Sequence, residues 1–187
     1  MNKISFHSIT QNFLAPIKST ILGANQTLKK DVFESSIIDI HSKGAFPSNV
    51  LSNFHKSKFE LDGIKINSME GFLQSLKTPD QKLQKKICKM VGKDAKIAGT
   101  TLKETGFDGK TLHWNGKTLD RFSEDYQELL KRAYDAKFKK DSLFRKAIAA
   151  TDGKTLTHSI GLQNKEETIL TEKEFINMLE LLKAKTK

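Results

Sequence analysis

The chain has 187 residues, 37% of them hydrophobic, and a formal net charge of +10. This size suits one globular domain that buries about 70% of the surface its unfolded chain would expose. No run approaches the roughly 20 apolar residues of a membrane span and the opening MNKISFHSIT lacks the apolar block of a secretory signal, so a cytoplasmic protein with no membrane contact is expected.

Residues 1–35 are rich in Ser, Thr, Asn and Lys, with Pro16 and Gly23 interrupting any long helix, and read as an extension packed on the core. Ser36-Ile-Ile-Asp-Ile40 predicts a strand, followed by an irregular Gly-, Pro- and Ser-rich loop over 42–50. From Phe59 to Ile66 apolar and polar residues alternate around Asp62-Gly63, the chemistry of a tight hairpin turn. Asn67 or Ser68 can cap the next helix, in which Met69, Phe72, Leu73 and Leu76 recur at helical spacing until Pro79. A second helix is predicted over 80–90, carrying the lone Cys88 as buried filler that cannot form an intramolecular disulfide. A third, short helical piece is predicted over 93–98, ended by Gly99.

Residues 106–120 read as an inserted hairpin with Asn115-Gly116 at its turn, covered by Trp114. Tyr126, Leu129, Leu130, Ala133 and Tyr134, then Phe138, Leu143, Phe144 and Ile148, suit amphipathic helices over 123–150 with Asp141 as a cap between them. A closing helix over 172–183 has a capping box in Thr171 and Glu174. Three Gly-Lys-Thr-Leu repeats start at Gly109, Gly116 and Gly153, each after Asp or Asn. They lack the earlier glycine and the following helix of a phosphate-binding loop, and read as turns.

The charge balance makes nucleic acid or a nucleotide-like anion the natural partner, through counterion release. The alternative is a lysine surface kept for solubility. The histidines show neither HxxxH nor HExxH spacing and one cysteine cannot complete a zinc site, so neither a metal nor another cofactor is expected. No GxSxG elbow or Cys-His signature is present, which leaves carboxylates as the candidate chemistry.

Residues 51–54, Leu-Ser-Asn-Phe, are followed by a hydrophobic strand ending in Asp62-Gly63 and then by Ser68-x-Glu70-x-x-x-Gln74-x-x-Lys77. Farther on come Ala95-Lys-Ile-Ala-Gly99, Ala136-Lys-Phe138 and the segment from Leu143 to Thr151. In order and spacing this pattern resembles the YbiA-like (NADAR) family of N-glycosidases over roughly residues 37–183. The resemblance implies a compact, mainly helical α+β domain with short β-hairpins over 36–187. It implies a substrate that is a ribosyl phosphate, such as the ribosylamine phosphates of riboflavin synthesis, or ADP-ribose joined to guanine, including guanine in nucleic acid. It also implies that Glu70 is the catalytic carboxylate, that Ser52, Asn53 and Phe54 form the ligand-binding turn, and that Gln74 and Lys77 follow on the same helix.

The chemistry suits that assignment, because a carboxylate beside C1 can stabilise an oxocarbenium-like transition state or orient water. On a helix Glu70, Gln74 and Lys77 lie at i, i+4 and i+7 and share one face, which would form a wall of the pocket. Asn53 can donate and accept, and Phe54 can stack on a base or sugar. The structural alternatives are a capping-box Glu70 three residues after Asn67, a core Phe54, a turn-closing Asn53 and a solvated Lys77. Where the family has a tryptophan before Ala-Lys-Phe, this chain has Asp120-Arg121-Phe122, in which Phe122 can preserve stacking on a ligand. The family's later acidic position falls on Thr157 or His158, and its closing W-G segment is replaced by residues 161–169. His158 is an acid-base candidate, since imidazole is the side chain that titrates nearest neutrality, or a satisfied strand histidine. A second function class is a non-catalytic protein that uses this fold and its basic surface to bind a nucleotide or nucleic acid.

Overall fold

A computed structural model describes residues 36–186. The chain divides into two units, residues 1–37 and 38–187. The extension expected over 1–35 lies outside the described residues.

Strand β1 (Ile37–Asp39) is the predicted β-branched run, and it pairs with β6 (Thr155–Thr157). The expected loop over 42–50 ends instead in a short helix, α1 (Ser48–Leu51), because Val50 and Leu51 turn into the core. Ser48 ties this helix back to the strand, its hydroxyl donating to the Asp39 carbonyl at 2.7 Å and accepting from the His41 N–H at 3.0 Å.

Strands β2 (Phe59–Leu61) and β3 (Ile64–Ile66) form the first hairpin, with Phe59 opposite Ile66 and Leu61 opposite Ile64. Asp62 and Gly63 take φ of 51° and 77°, the left-handed pair that a two-residue turn of this hand requires. All four apolar residues face the core and Glu60 and Lys65 face outward.

Helix α2 (Met69–Ser75) begins at Ser68, whose hydroxyl accepts from the Gly71 N–H at 2.9 Å, so Ser68 rather than Asn67 is the cap. All seven of its residues are buried, polar ones included. A helix wrapped on every side can hold polar side chains only where they are bonded or line a cavity. It is flanked by α3 (Gln81–Cys88), capped by Asp80, and α4 (Gly92–Glu104). The expected stop at Gly99 is not made, and α4 runs straight through it. Its buried stripe is Gly92, Ala95 and Gly99, small residues that let α4 approach α2 closely.

The second hairpin, β4 (Thr111–Trp114) and β5 (Lys117–Asp120), turns at Asn115-Gly116 with φ of 49° and 83°. It is stitched to the core: Trp114 meets Phe72 edge-on at 5.1 Å, and its indole N–H donates to Asp62 at 2.7 Å. Gly109 and Gly153 also have positive φ, so all three Gly-Lys-Thr-Leu repeats are turns. Helices α5 (Glu124–Lys140) and α6 (Ser142–Ala149) share Asp141, which ends the first and caps the second. Helix α7 (Glu172–Ala184) has the expected capping box of Thr171 and Glu174. One hydrophobic cluster joins both hairpins, α2, α5, α6 and α7. Among the described residues no helix is long and apolar enough to cross a membrane.

Candidate functional site

A cleft of about 290 Å³ opens where α2 and α4 meet the segment between β6 and α7. Glu70, in the first turn of α2, is only 6% exposed and lies in its lining. The Asn53 carbonyl accepts from the Glu70 backbone N–H at 2.9 Å, fixing the start of α2 against the 52–54 turn. The Glu70 side chain makes no capping box. Its Oε1 accepts from the Gln74 amide at 2.8 Å and lies 3.9 Å from the Lys96 ammonium. Oε2 has no hydrogen-bond partner among the described residues. Burial raises the pKa of Glu70, while Lys96, the Gln74 hydrogen bond, Lys77 and His158 oppose that rise. The result is a carboxylate short of solvent, held at one oxygen and, among the described residues, unbonded at the other.

The 52–54 turn lines the cleft throughout. The Ser52 hydroxyl accepts from the Phe54 N–H at 3.2 Å, which shapes the turn. Asn53 Oδ1 accepts from the Tyr134 hydroxyl at 2.8 Å, and Phe54 is half-buried. His158 also borders the cleft. Its Nδ1 is 2.6 Å from the Ile40 carbonyl. A carbonyl only accepts, so Nδ1 carries the proton and Nε2 of the neutral ring is an acceptor. The ring is further held edge-on to Phe175 at 5.2 Å. His158 is thus both a satisfied histidine and part of the cleft.

The wall expected from Glu70, Gln74 and Lys77 divides. Gln74 is 3% exposed and does not line the cleft, and its amide instead orients Glu70. Lys77 lies beyond the end of α2, outside the cleft, where its ammonium donates to the Gly99 carbonyl at 3.2 Å and lies 5.6 Å from the Phe107 ring centre. Burial, with repulsion from Lys96, pushes the Lys77 pKa down to about 8 despite the attraction of Glu70. Helix α2 is too short for the i+7 position to share its face. Phe122 is also outside the cleft, 43% exposed, its N–H donating to Asp120 at 2.6 Å. The side chain turned inward there is Arg121, which is fully buried and bidentate on Glu174 at 3.0 and 2.6 Å.

Sequence reasoning missed Lys96, His41 and the 168–171 segment, all of which line the cleft. Lys96 looks like any other helical lysine in the sequence, and only the packing of α4 on α2 places it beside Glu70. Among the described residues no cluster of three or more His, Cys, Asp or Glu could hold a metal ion.

The fold as a whole is YbiA-like. The NMR structure of the E. coli protein YbiA is similar, with a TM-score of 0.55 over 81% of this chain and 84% of that one, at 16% identity. Residues 45–184 match the family described as bacteriophage protein GP30.3, and the chain belongs to that family. It is also 40% identical, over 150 residues, to an uncharacterized 17.1 kDa protein of enterobacteria phage T4 from the Gp30-rIII intergenic region. That match covers 79% of this chain and 97% of the phage T4 protein.

Proposed function

We propose that this protein is a hydrolase that cleaves the N-glycosidic bond of a ribosyl phosphate or of ADP-ribose, including ADP-ribose on guanine in nucleic acid. The observation that carries this reading is the Glu70 carboxylate, buried in the cleft with Oε1 fixed by Gln74 and Lys96 and Oε2 without a hydrogen-bond partner among the described residues. As the C1–N bond lengthens, positive charge develops on C1 and the ring oxygen, and a nearby carboxylate in a dry site stabilises it strongly. Glu70 then takes a proton from the water that bonds to C1 and gives it up to the departing nitrogen, so that the water is divided between C1 and the base and the carboxylate is restored. Lys96 and Gln74 favour the ionised form that this step needs. Lys96, 59% exposed on its side chain, is also placed to meet an anionic group of the substrate. The 52–54 turn offers Phe54 for stacking.

The test follows base or sugar release by the wild type and Glu70→Gln on ADP-ribosylated guanosine, ADP-ribosylated DNA and a ribosylamine phosphate. Loss of an essential carboxylate lowers the rate by about 10² to 10⁴-fold, so release by the wild type with near-complete loss in the variant is expected. No release from any substrate sinks the enzymatic reading, and release unchanged by Glu70→Gln removes the site assignment. The net charge of +10 favours a second reading, a non-catalytic protein that binds a nucleotide or nucleic acid. Binding of these ligands without turnover would support it.

A further inference from the structure

A second concave surface shares no lining residue with the Glu70 cleft. It is a groove of about 530 Å³ between the β2–β3 hairpin and the last turn of α5. Lys58 and Lys65 border it from the hairpin side and Lys139 and Lys140 from the helix side, and Glu60 is its one carboxylate. All four lysines are exposed. None of their ammonium groups has an ion pair or hydrogen bond among the described residues. Glu60 faces Lys65 across the hairpin register without forming an ion pair. The carboxylate that ends α5, Asp141, is committed elsewhere, accepting from the Ser57 hydroxyl at 2.5 Å and from the Phe144 N–H at 3.0 Å.

Cations in the last turn of a helix complement its dipole, which accounts for Lys139 and Lys140. It does not account for Lys58 and Lys65, which come from another element and converge on the same groove. Four like charges facing a shared cavity repel one another unless an anion lies between them. We propose that this groove binds the phosphate backbone of a nucleic acid. The ligands are lysines, point charges that grip phosphate, with no arginine fork to read bases, so the binding is independent of sequence. A lipid surface fits less well, since the groove is concave and no large exposed hydrophobic residue lines it.

The experiment titrates a fluorescently labelled oligonucleotide carrying no ADP-ribose with the full chain, by anisotropy, across a salt series. Two double variants remove one side of the groove each: Lys58→Gln with Lys65→Gln, and Lys139→Gln with Lys140→Gln. The control, Lys82→Gln with Lys85→Gln, removes the same charge from the exposed face of α3. Each lost phosphate contact flattens the plot of log affinity against log salt by about 0.9, so each groove pair should flatten it by nearly 2 and weaken binding about tenfold or more at 0.1 M salt. The control should change it far less, and thermal unfolding should show all variants folded.

The proposal is overturned if the wild type does not bind, if the groove variants bind like the wild type, or if the control weakens binding equally. It is also overturned if the groove variants lose only binding to phosphatidylserine vesicles. Glu70→Gln should bind the oligonucleotide like the wild type, so this outcome stands apart from the glycosidase reading.

Discussion

Near the α5–α6 junction the Lys137 ammonium has no hydrogen-bond partner among the described residues and lies 3.8 Å from the centre of the Phe144 ring. Burial, only partly offset by Asp141, pushes its pKa from 10.5 down to about 7. Between those values the unfolded chain binds a proton that the folded chain does not, so stability rises with pH from about 7 towards 10. Each unit of that shift corresponds to about 1.4 kcal/mol, and Lys137→Met removes the titration. Urea unfolding at pH 7 and pH 9 should therefore show the wild type gaining stability while the variant stays nearly level and is the more stable of the two at pH 7. Equal pH dependence in both would mean that Lys137 stays protonated. The same desolvation acts on Glu70, which the sequence singled out only through the family resemblance of the motif from Ser68 to Lys77. The partner that tempers it, Lys96, was not singled out.

At the scale of elements, α2 and α4 decide the site together. The hairpins, α3, α5, α6 and α7 announce themselves through turn chemistry, caps and apolar spacing, but α4 does not. Its inner stripe of Gly92, Ala95 and Gly99 carries almost no hydrophobic signal, and Gly99 reads as a stop. Its purpose is steric: a β-carbon there would fall 1.7 Å from Gln74 Oε1. Alanine is favoured over glycine in a helix by about 1 kcal/mol, yet Gly99→Ala must displace the amide that orients Glu70. If the protein is the glycosidase proposed above, the expected outcome is a large fall in kcat with little or no gain in thermal midpoint, read by measuring both. A variant that is stabilised and fully active would show that the Gln74–Glu70 bond does not depend on this approach.

Across the whole molecule, the far wall of the cleft hangs from one buried ion pair. Arg121 donates through Nε to the Thr168 carbonyl at 2.9 Å and through its fork to Glu174, while the Tyr126 hydroxyl donates to the Ile169 carbonyl. Burial alone would raise the Glu174 pKa, but Arg121 and Thr171 bring it down to about 2. Its folded value lies below its unfolded one, so its contribution to stability is present above about pH 4.5 and is lost as pH falls towards 2. Arg121→Met strips the buried Glu174 of its bidentate partner and leaves it the half-exposed Lys165 at 3.7 Å and hydrogen bonds from Gln127 and Thr171, and should cost about 3 kcal/mol in chemical denaturation at pH 7 and flatten the acid limb. A loss below about 1 kcal/mol would show that Lys165 and Gln127 suffice for Glu174. What the sequence determined by itself is local: which segments turn and which are capped, because propensity and spacing act between near neighbours; the carboxylate motif was singled out by its resemblance to a family. Only the tertiary structure decided which polar groups meet. It brought Lys96 to the cleft and left Lys77 outside it, because those positions depend on helix length and on how closely α4 packs on α2, and it left Phe122 outside as well.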